Sequence, residues 1–443
     1  MSSKKAVEQV FWSDVSRFKR THAELETTDA GSYQTKLCEL LESLRANSRK
    51  FVISVFNYLR GHDHVAPCLI LDNADHHADV FQQAVYKASK ALQSDLKCLV
   101  LVSLQEAWYW RHTSPQGPLA AYQDTVFHVP APRMRDVLQK RLEYAISKTD
   151  ELLPRKRVFS FGKNLAVQPQ NISRLLRKIE RAFFSNDDVA VCYECLSNGD
   201  VRRGLKLFHT FIRSGHLGAE QLFFAAATDA TFPLSLEELV YTIARGTRRH
   251  YAGDKSEIPN VLTLFETDRE NTFARFAPCY VLQLLAARVR ARSTMGEGFV
   301  PVADLGRLLE EFGVDSARTL EFLEVLWRKG LVRTYHGDPE EFSQVRGLRI
   351  SGMGAYMVQK LISNRAYLEC VMVDTPPAAQ STTDFIVSLL REGTPRTATN
   401  ATTCLRRFLE DLQSVEAREF QRAAQSQVAP QLRKVIQGDA SSQ

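Results

Sequence analysis

The 443-residue sequence predicts a chain that is α/β in its first third and mainly α thereafter. Three observations favour this fold class. Two short apolar runs flank a helical pattern between residues 66 and 104, an order typical of a βαβ unit. From residue 171 onward, apolar residues recur at helical spacing. Between residues 278 and 350, three helical patterns precede two strand-like runs.

The composition is that of a globular protein, with 44% hydrophobic and 24% charged residues. No apolar run is long enough to span a bilayer, and the start of the chain lacks the apolar core of a signal peptide. The eight cysteines are scattered, as expected for reduced thiols. We therefore expect a cytoplasmic protein that does not bind membranes. The net charge of +6 permits contact with nucleic acid without requiring it.

The first 60 residues predict helices, because Val7, Phe11 and Val15 recur at helical spacing. A break is expected between Thr27 and Ser32, where Asp29 and Gly31 interrupt the pattern. A loop, 61–65, then leads into the first strand.

The first strand is expected from Ala66 to Leu71 and ends in two acids, Asp72 and Asp75. A continuous apolar run of this length predicts a strand buried on both faces, as in a parallel sheet. Open α/β sheets bind their ligands at the carboxyl ends of the strands, where these acids would lie. The alternative is a strand followed by an ordinary polar turn.

A helix over 78–93 and a second buried strand, Leu96 to Leu104, complete the βαβ unit. A third, shorter strand is predicted from Thr125 to Val129, followed by a helix from Met134 to Ile146. The basic stretch Ser147 to Lys163 favours a solvated linker.

The rest of the chain predicts helices and one compact module. Helices are expected at 171–184, 188–196, 200–214 and 218–228, and another begins at Ser235. Helices 279–292, 302–312 and 317–329, followed by strands 331–335 and 345–350, describe a winged helix-turn-helix. The tail is expected to be helical from 355 and disordered over its last residues, 438–443. The predicted segments are 1–60 (N-terminal helices), 61–150 (partial α/β core), 151–277 (helical lid), 278–352 (winged helix) and 353–443 (C-terminal helices and polar tail).

Three local motifs resemble those of AAA+ or STAND-type P-loop ATPases, close to the origin-initiator branch, which also carry a C-terminal winged helix. Residues 69–75, Leu-Ile-Leu-Asp-Asn-Ala-Asp, look like a Walker B strand, and residues 100–106, Val-Leu-Val-Ser-Leu-Gln-Glu, look like the next strand with its sensor-1 tip. Residues 199–202, Gly-Asp-Val-Arg, resemble the lid motif Gly-Asp-x-Arg. The resemblance covers roughly residues 50–350.

This resemblance implies a role for each matching residue and implies Mg²⁺ and ATP or ADP as cofactors. Asp72 would hold Mg²⁺, Asp75 would polarise the attacking water, Ser103 or Gln105 would face the γ-phosphate, and Arg202 would contact the nucleotide from the lid. Each has a simpler interpretation as well. Ser103 and Gln105 could belong to an ordinary strand end, and Arg202 could brace a helix beside Asp200.

The chain departs from the family at the phosphate-binding loop, since no Gly-x-x-x-x-Gly-Lys-[Ser/Thr] occurs in it. Gly162 and Lys163 follow the Walker B-like strand, which is the wrong order, and Asn73 stands where many such ATPases place glutamate. Either the loop lies on another segment or chain, or the protein is a degenerate relative. In both cases we expect weak or no ATP hydrolysis by the chain alone.

The predicted function is therefore a nucleotide-responsive regulatory or assembly module that works with a protein partner or by self-assembly. The alternative is a non-enzymatic winged-helix protein that binds DNA or acts as a scaffold. The third helix of the predicted winged helix mixes acids with its arginines, and the following loop is acidic at Asp338, Glu340 and Glu341. This pattern favours a structural or protein-contacting role over binding along the phosphates of DNA, although Arg288 and Arg290 could contact a DNA backbone.

Overall fold

A computed structural model of the chain forms two compact units, Met1–Gln123 and Asp124–Gln443. The structure describes residues 4–113, 117, 119–122, 124–152, 159–161, 165–167, 169–216, 233–265, 275–290, 292–293, 296–311, 314, 316–335, 341–390 and 398–419. Within these residues the chain is mainly helical with small parallel and antiparallel sheets, as the sequence predicts.

The first unit begins with five helices: α1 (Lys4–Val10), α2 (Trp12–Thr21), α3 (Ala23–Thr28), α4 (Ala30–Ala46) and α5 (Ser48–Gly61). Their apolar faces meet in one core that includes Val7, Phe11 and Leu37. The predicted break falls at Asp29, whose side chain accepts a hydrogen bond from the backbone N–H of Ser32 and so caps α4.

A βαβ unit follows, made of β1 (Cys68–Leu71), α6 (Asp79–Leu96) and β2 (Leu99–Val102), with α7 (Glu106–Thr113) after it. The two strands pair in parallel and in register from Cys68 opposite Leu99 to Leu71 opposite Val102. The predicted pairing of consecutive strands through a helical crossover is therefore present.

The prediction that both strands are buried on both faces is wrong. Burial alternates along each strand between half-buried and exposed residues, and Ile70 and Leu99 are 65% and 57% exposed. Only two strands pair here among the described residues, and the period of two means that one face of the sheet is covered and the other is open.

The predicted third strand, Thr125 to Val129, is not a strand. These residues form no regular secondary structure, and Phe127 and Val129 are largely exposed. The apolar, β-branched composition favours a strand, yet no described neighbour forms a ladder with this segment, so it carries no strand hydrogen bonds.

The second unit opens with a helical layer: α8 (Met134–Leu152), α9 (Pro169–Ser185), α10 (Asp187–Ser197), α11 (Val201–Arg213) and α12 (Leu236–Arg245). These bounds confirm the predicted helices except 218–228, which lies outside the described residues. The stretch predicted as a linker is partly structured. Its first residues extend α8, and β3 (Phe159–Phe161) pairs antiparallel with β4 (Leu165–Val167).

A second group of elements contains α13 (Ala277–Ala287), a short antiparallel pair β5 (Arg292–Ser293) and β6 (Gly296–Glu297), then β7 (Val300–Pro301), α14 (Val302–Glu311), α15 (Ser316–Arg328), β8 (Val332–Thr334) and β9 (Gly347–Ile350). The last three strands form an antiparallel sheet in the order β7-β9-β8. The first of these helices is shorter than predicted, so Arg288 and Arg290 lie in the turn after it. The acids Asp338 and Glu340 lie outside the described residues.

Four helices complete the second unit: α16 (Gly352–Gln359), α17 (Arg365–Met372), α18 (Gln380–Leu390) and α19 (Ala398–Glu419). One continuous core joins them to the preceding elements, including Leu207, Leu326 and Phe408. The tail from 420, predicted to end in disorder, lies outside the described residues. All eight cysteines are free thiols. None of the described helices combines the length and apolar character that a membrane crossing requires.

Candidate functional site

The carboxyl end of β1 turns sharply at Asp72 and Asn73. Asn73 has a φ of 62°, in the left-handed region, which asparagine tolerates better than most residues. Its backbone N–H donates to Asp72 Oδ1 at 2.8 Å. This turn fixes the Asp72 carboxylate at the tip of the strand, where its side chain is exposed.

Parallel pairing brings Ser103 to the same edge. The backbone N–H of Ser103 donates to the carbonyl of Leu71 at 3.0 Å, which continues the ladder one step past the two strands. The Ser103 hydroxyl then donates to Asp72 Oδ1 at 2.9 Å. The residues predicted to hold a metal ion and to sense the phosphate are therefore in direct contact.

Gln105 and Asp75 also meet, although not through the predicted functional groups. The Gln105 side-chain amide donates to the backbone carbonyl of Asp75 at 3.2 Å and so ties the turn after β1 to the end of β2. Both side chains are half-buried. The contact gives Gln105 a structural role in holding this turn.

A side-chain contact between α6 and α7, which the sequence did not predict, joins Asp79 to the buried His112. His112 of α7 is 4% exposed, and its Nε2 lies 3.0 Å from Asp79 Oδ2 in the first turn of α6. Its Nδ1 lies 2.9 Å from the carbonyl oxygen of Trp108. Both ring nitrogens of His112 therefore face an oxygen acceptor, one on α6 and one within α7. No local pattern could have revealed a pair that is 33 residues apart.

The oxygen donors at this edge fit magnesium. Mg²⁺ in nucleotide sites is usually held by one or two carboxylates together with phosphate oxygens and water. Asp72 supplies an exposed carboxylate, Ser103 a hydroxyl, and Asp75 a second carboxylate in the adjoining turn. Among the described residues, no three His, Cys, Asp or Glu side chains form a metal-binding group by themselves. A cation at this edge would therefore need most of its ligands from outside the described residues.

Arg202 belongs to the second unit, in the first turn of α11. The Asp200 side chain caps this helix by accepting hydrogen bonds from the backbone N–H groups of Arg202 and Arg203 at 2.8 and 3.1 Å. The Arg202 side chain is exposed, and no ion pair involves it within the described part of the chain. The motif residue Asp200 is thus a helix cap, and the cation next to it points to solvent.

The neighbouring Arg203 has a structural role that the sequence analysis did not identify. Its guanidinium is half-buried and donates to the carbonyl of Glu257 at 3.4 Å and to Met353 Sδ at 2.9 Å. Desolvation lowers the pKa of this guanidinium, while the carboxylates of Glu257 and Asp200 oppose the shift.

A second network ties the same turn to the three-stranded sheet. Asn198, in the left-handed region, donates through Nδ2 to the carbonyl of Gly330 at 3.3 Å. The Arg333 guanidinium donates to the carbonyl of Asn198 at 2.9 Å, and the Ser351 hydroxyl donates to Gly330 at 2.7 Å. The Gly-Asp-Val-Arg turn is therefore held rigidly against β8 and the start of α16.

Comparison of the chain with protein-family models, with curated proteins and with solved structures gives no match.

Proposed function

We propose that this protein is a nucleotide-responsive regulatory or assembly module that binds Mg²⁺ and ATP or ADP at the carboxyl edge of β1 and β2. One observation carries this proposal: the hydrogen bond from Ser103 to Asp72 at the tips of two parallel strands. A metal-holding acid beside a polar sensor is one part of a phosphate site at a strand edge. The resemblance to AAA+ and STAND ATPases supports the same assignment of roles.

In this proposal Asp72 holds Mg²⁺, Ser103 orients the Asp72 carboxylate and senses the terminal phosphate, and Asp75 polarises water. Gln105 assists as a second sensor candidate and holds the turn that carries Asp75. We retain Arg202 as the proposed lid cation for the nucleotide, a role that its exposed guanidinium permits. Bound magnesium would neutralise phosphate charge at this edge.

We further propose that the phosphate-binding loop comes from another segment or from a partner, so that this chain alone hydrolyses ATP weakly or not at all. The open face of the two-stranded sheet supports this view, because parallel sheets are normally covered on both sides. The free thiols support a cytoplasmic setting.

The group from α13 to β9 is proposed to be a winged helix, because its three helices pack with a β7-β9-β8 sheet whose first strand precedes the second helix and whose other two strands follow the third. The arginines of α15 are paired within the helix, Arg318 with Glu321 at 3.7 Å and Arg328 with Glu324 at 2.5 Å. This neutralisation favours a structural or protein-contacting winged helix. It weakens the alternative function, a winged-helix protein that reads DNA through α15.

Nucleotide titration tests the proposal. Binding of Mg-ATP and Mg-ADP to the full chain is measured by calorimetry or with a labelled protein. The same titration is carried out on Asp72→Asn, which keeps an acceptor for the Ser103 hydroxyl but removes the carboxylate charge. We expect saturable, magnesium-dependent binding that weakens at least about tenfold in the variant, equivalent to about 1.4 kcal/mol.

Asp63→Asn is the matched control, because Asp63 is an acid before β1, 2.8 Å from His62, and takes no part in the proposed site. It should bind as the unmodified chain does. Equal binding by Asp72→Asn, or no binding at nucleotide concentrations on the order of a millimolar, would contradict the proposal.

A further inference from the structure

Helix α11 presents one face made almost entirely of basic side chains. Arg202, Lys206, His209 and Arg213 recur at intervals of four, three and four residues, which places them along one side of an α-helix. All four are exposed, whereas Gly204, Leu207 and Phe211 on the other side are buried. No acidic residue occurs between Val201 and Arg213.

The loop after α12 extends this surface. Gly246 ends α12 with a φ of 58°, and a β-carbon there would lie 3.5 Å from Thr210 Cγ2 of α11. His216, just past α11, lies with Nε2 2.7 Å from the carbonyl oxygen of Arg248. These contacts place the backbone of Arg248 beside the end of α11, and the next residue, Arg249, is exposed. We call Arg202, Lys206, His209, Arg213 and Arg249 the basic face.

Most of the charge on the basic face is not neutralised. Lys206 pairs with Glu257 at 2.6 Å, but within the described ranges no acid forms an ion pair with Arg202, Arg213 or Arg249. In the loop after α12, the negative charge of Asp254 and the positive charge of Lys255 cancel in the net charge. The arginines of α15, by contrast, are each paired with a glutamate of the same helix. Of these two helices, therefore, α11 and not α15 carries positive charge that no ion pair offsets.

We propose that the basic face binds the phosphate backbone of duplex DNA. From Arg202 to Arg213 the face extends about 16 Å along the helix, comparable with the spacing of several successive phosphates. Arginine and lysine are the side chains that contact phosphates most often. The face has no aromatic side chain on which unpaired bases could stack, which favours duplex over single strands.

This binding is electrostatic and independent of base sequence. Arg202 is shared with the proposed nucleotide site, but the other four residues of the basic face are not. If nucleic acid binds this protein, the contact is made by the helical layer and not by the third helix of the proposed winged helix. The affinity should lie in the range of non-specific DNA binding, roughly 10⁻⁴ to 10⁻⁶ M near physiological salt.

Fluorescence anisotropy with a labelled duplex of about 20 base pairs, roughly two helical turns, tests the proposal. The full chain is compared with the double variant Arg213→Glu/Arg249→Glu, which leaves Arg202 intact, across about 50 to 200 mM KCl. The variant is expected to bind at least about tenfold more weakly at low salt, with the slope of log K against log salt reduced by about 2.

The matched control, Arg318→Glu/Arg328→Glu, changes the net charge equally and should leave the affinity and slope of the full chain nearly unchanged. If circular dichroism shows that the first variant folds poorly, Arg213→Gln/Arg249→Gln replaces it. This variant is also expected to bind DNA more weakly, with a smaller salt slope. Equal loss in both double variants, no salt-dependent binding by the full chain, or binding to phosphatidylserine vesicles in place of DNA would overturn the proposal.

Discussion

Replacing Gly354 with alanine is expected to lower the free energy of unfolding of the second unit by about 3 kcal/mol, the upper part of the usual range for overpacking. Gly354 lies in the first turn of α16, and a β-carbon there would overlap the carbonyl oxygen of Leu331. That carbonyl also accepts a hydrogen bond from the backbone N–H of Ser351 at 3.1 Å. Because the obstacle is backbone, no change of side-chain rotamer relieves the overlap.

Gly352→Ala provides the control two residues earlier in the same helix. A β-carbon at Gly352 would meet only Asn198 Oδ1 at 3.8 Å, an ordinary contact. We expect its stability to stay within about 0.5 kcal/mol of the unmodified chain, or to rise slightly because alanine restricts the unfolded state. Urea unfolding followed by circular dichroism measures both variants. Equal stability of the two would show that α16 does not pack against Leu331 as described.

Replacing Asp411 with alanine is expected to cost about 3 kcal/mol, since two charge-assisted hydrogen bonds are lost and their donors remain partly buried. Asp411 lies in α19 and is 5% exposed. Its Oδ2 accepts from the backbone N–H of Ala378 at 2.8 Å, and its Oδ1 accepts from that of Ala379 at 2.9 Å. A carboxylate from one helix thus satisfies the free N–H groups before α18.

Asp411→Asn removes the charge and one of the two acceptors but keeps the shape of the side chain, because asparagine has only one acceptor oxygen. Its loss of stability should be about half that of the alanine variant, on the order of 1.5 kcal/mol. Thermal unfolding of the three proteins gives the ranking. An alanine variant as stable as the unmodified chain, or an asparagine variant no better than alanine, would contradict this capping role.

The helices could be predicted well because their signals are local. Ser235 begins α12 as expected, and its side chain accepts from the backbone N–H of Glu238 at 3.1 Å in a capping box. Asp29 marks the break before α4 for a similar reason. The apolar residues and the capping residues of a helix lie within one or two turns of each other, so a short stretch of sequence contains the whole signal.

The sheets could be predicted less well because strand pairing is not local. The apolar segment from Thr125 to Val129 has suitable side chains but no described partner strand, and Ile70 is exposed although its run is wholly apolar. The hairpin of β3 and β4 was missed because each strand is only three residues long and β3 lies in a basic stretch. Burial and pairing depend on what lies beside a strand in space.

The site was partly predictable for the same reasons. A parallel βαβ unit places two consecutive strand ends at one edge, so the proximity of Asp72 and Ser103 follows from the pattern. The contact of Gln105 with the Asp75 carbonyl and the pairing of Asp79 with His112 depend on side-chain geometry between distant positions. The structural role of Arg203, next to the predicted Arg202, is likewise set by tertiary packing.

Hydrogen–deuterium exchange of the full chain, with and without Mg-ATP, tests the central claim most directly because it locates the ligand. We expect magnesium-dependent slowing of exchange in peptides that cover 68–76 and 99–105, and we expect Asp72→Asn to abolish it. Unchanged exchange in both peptides at saturating nucleotide, or slowing only in other parts of the chain, would contradict a nucleotide site at the carboxyl edge of β1 and β2.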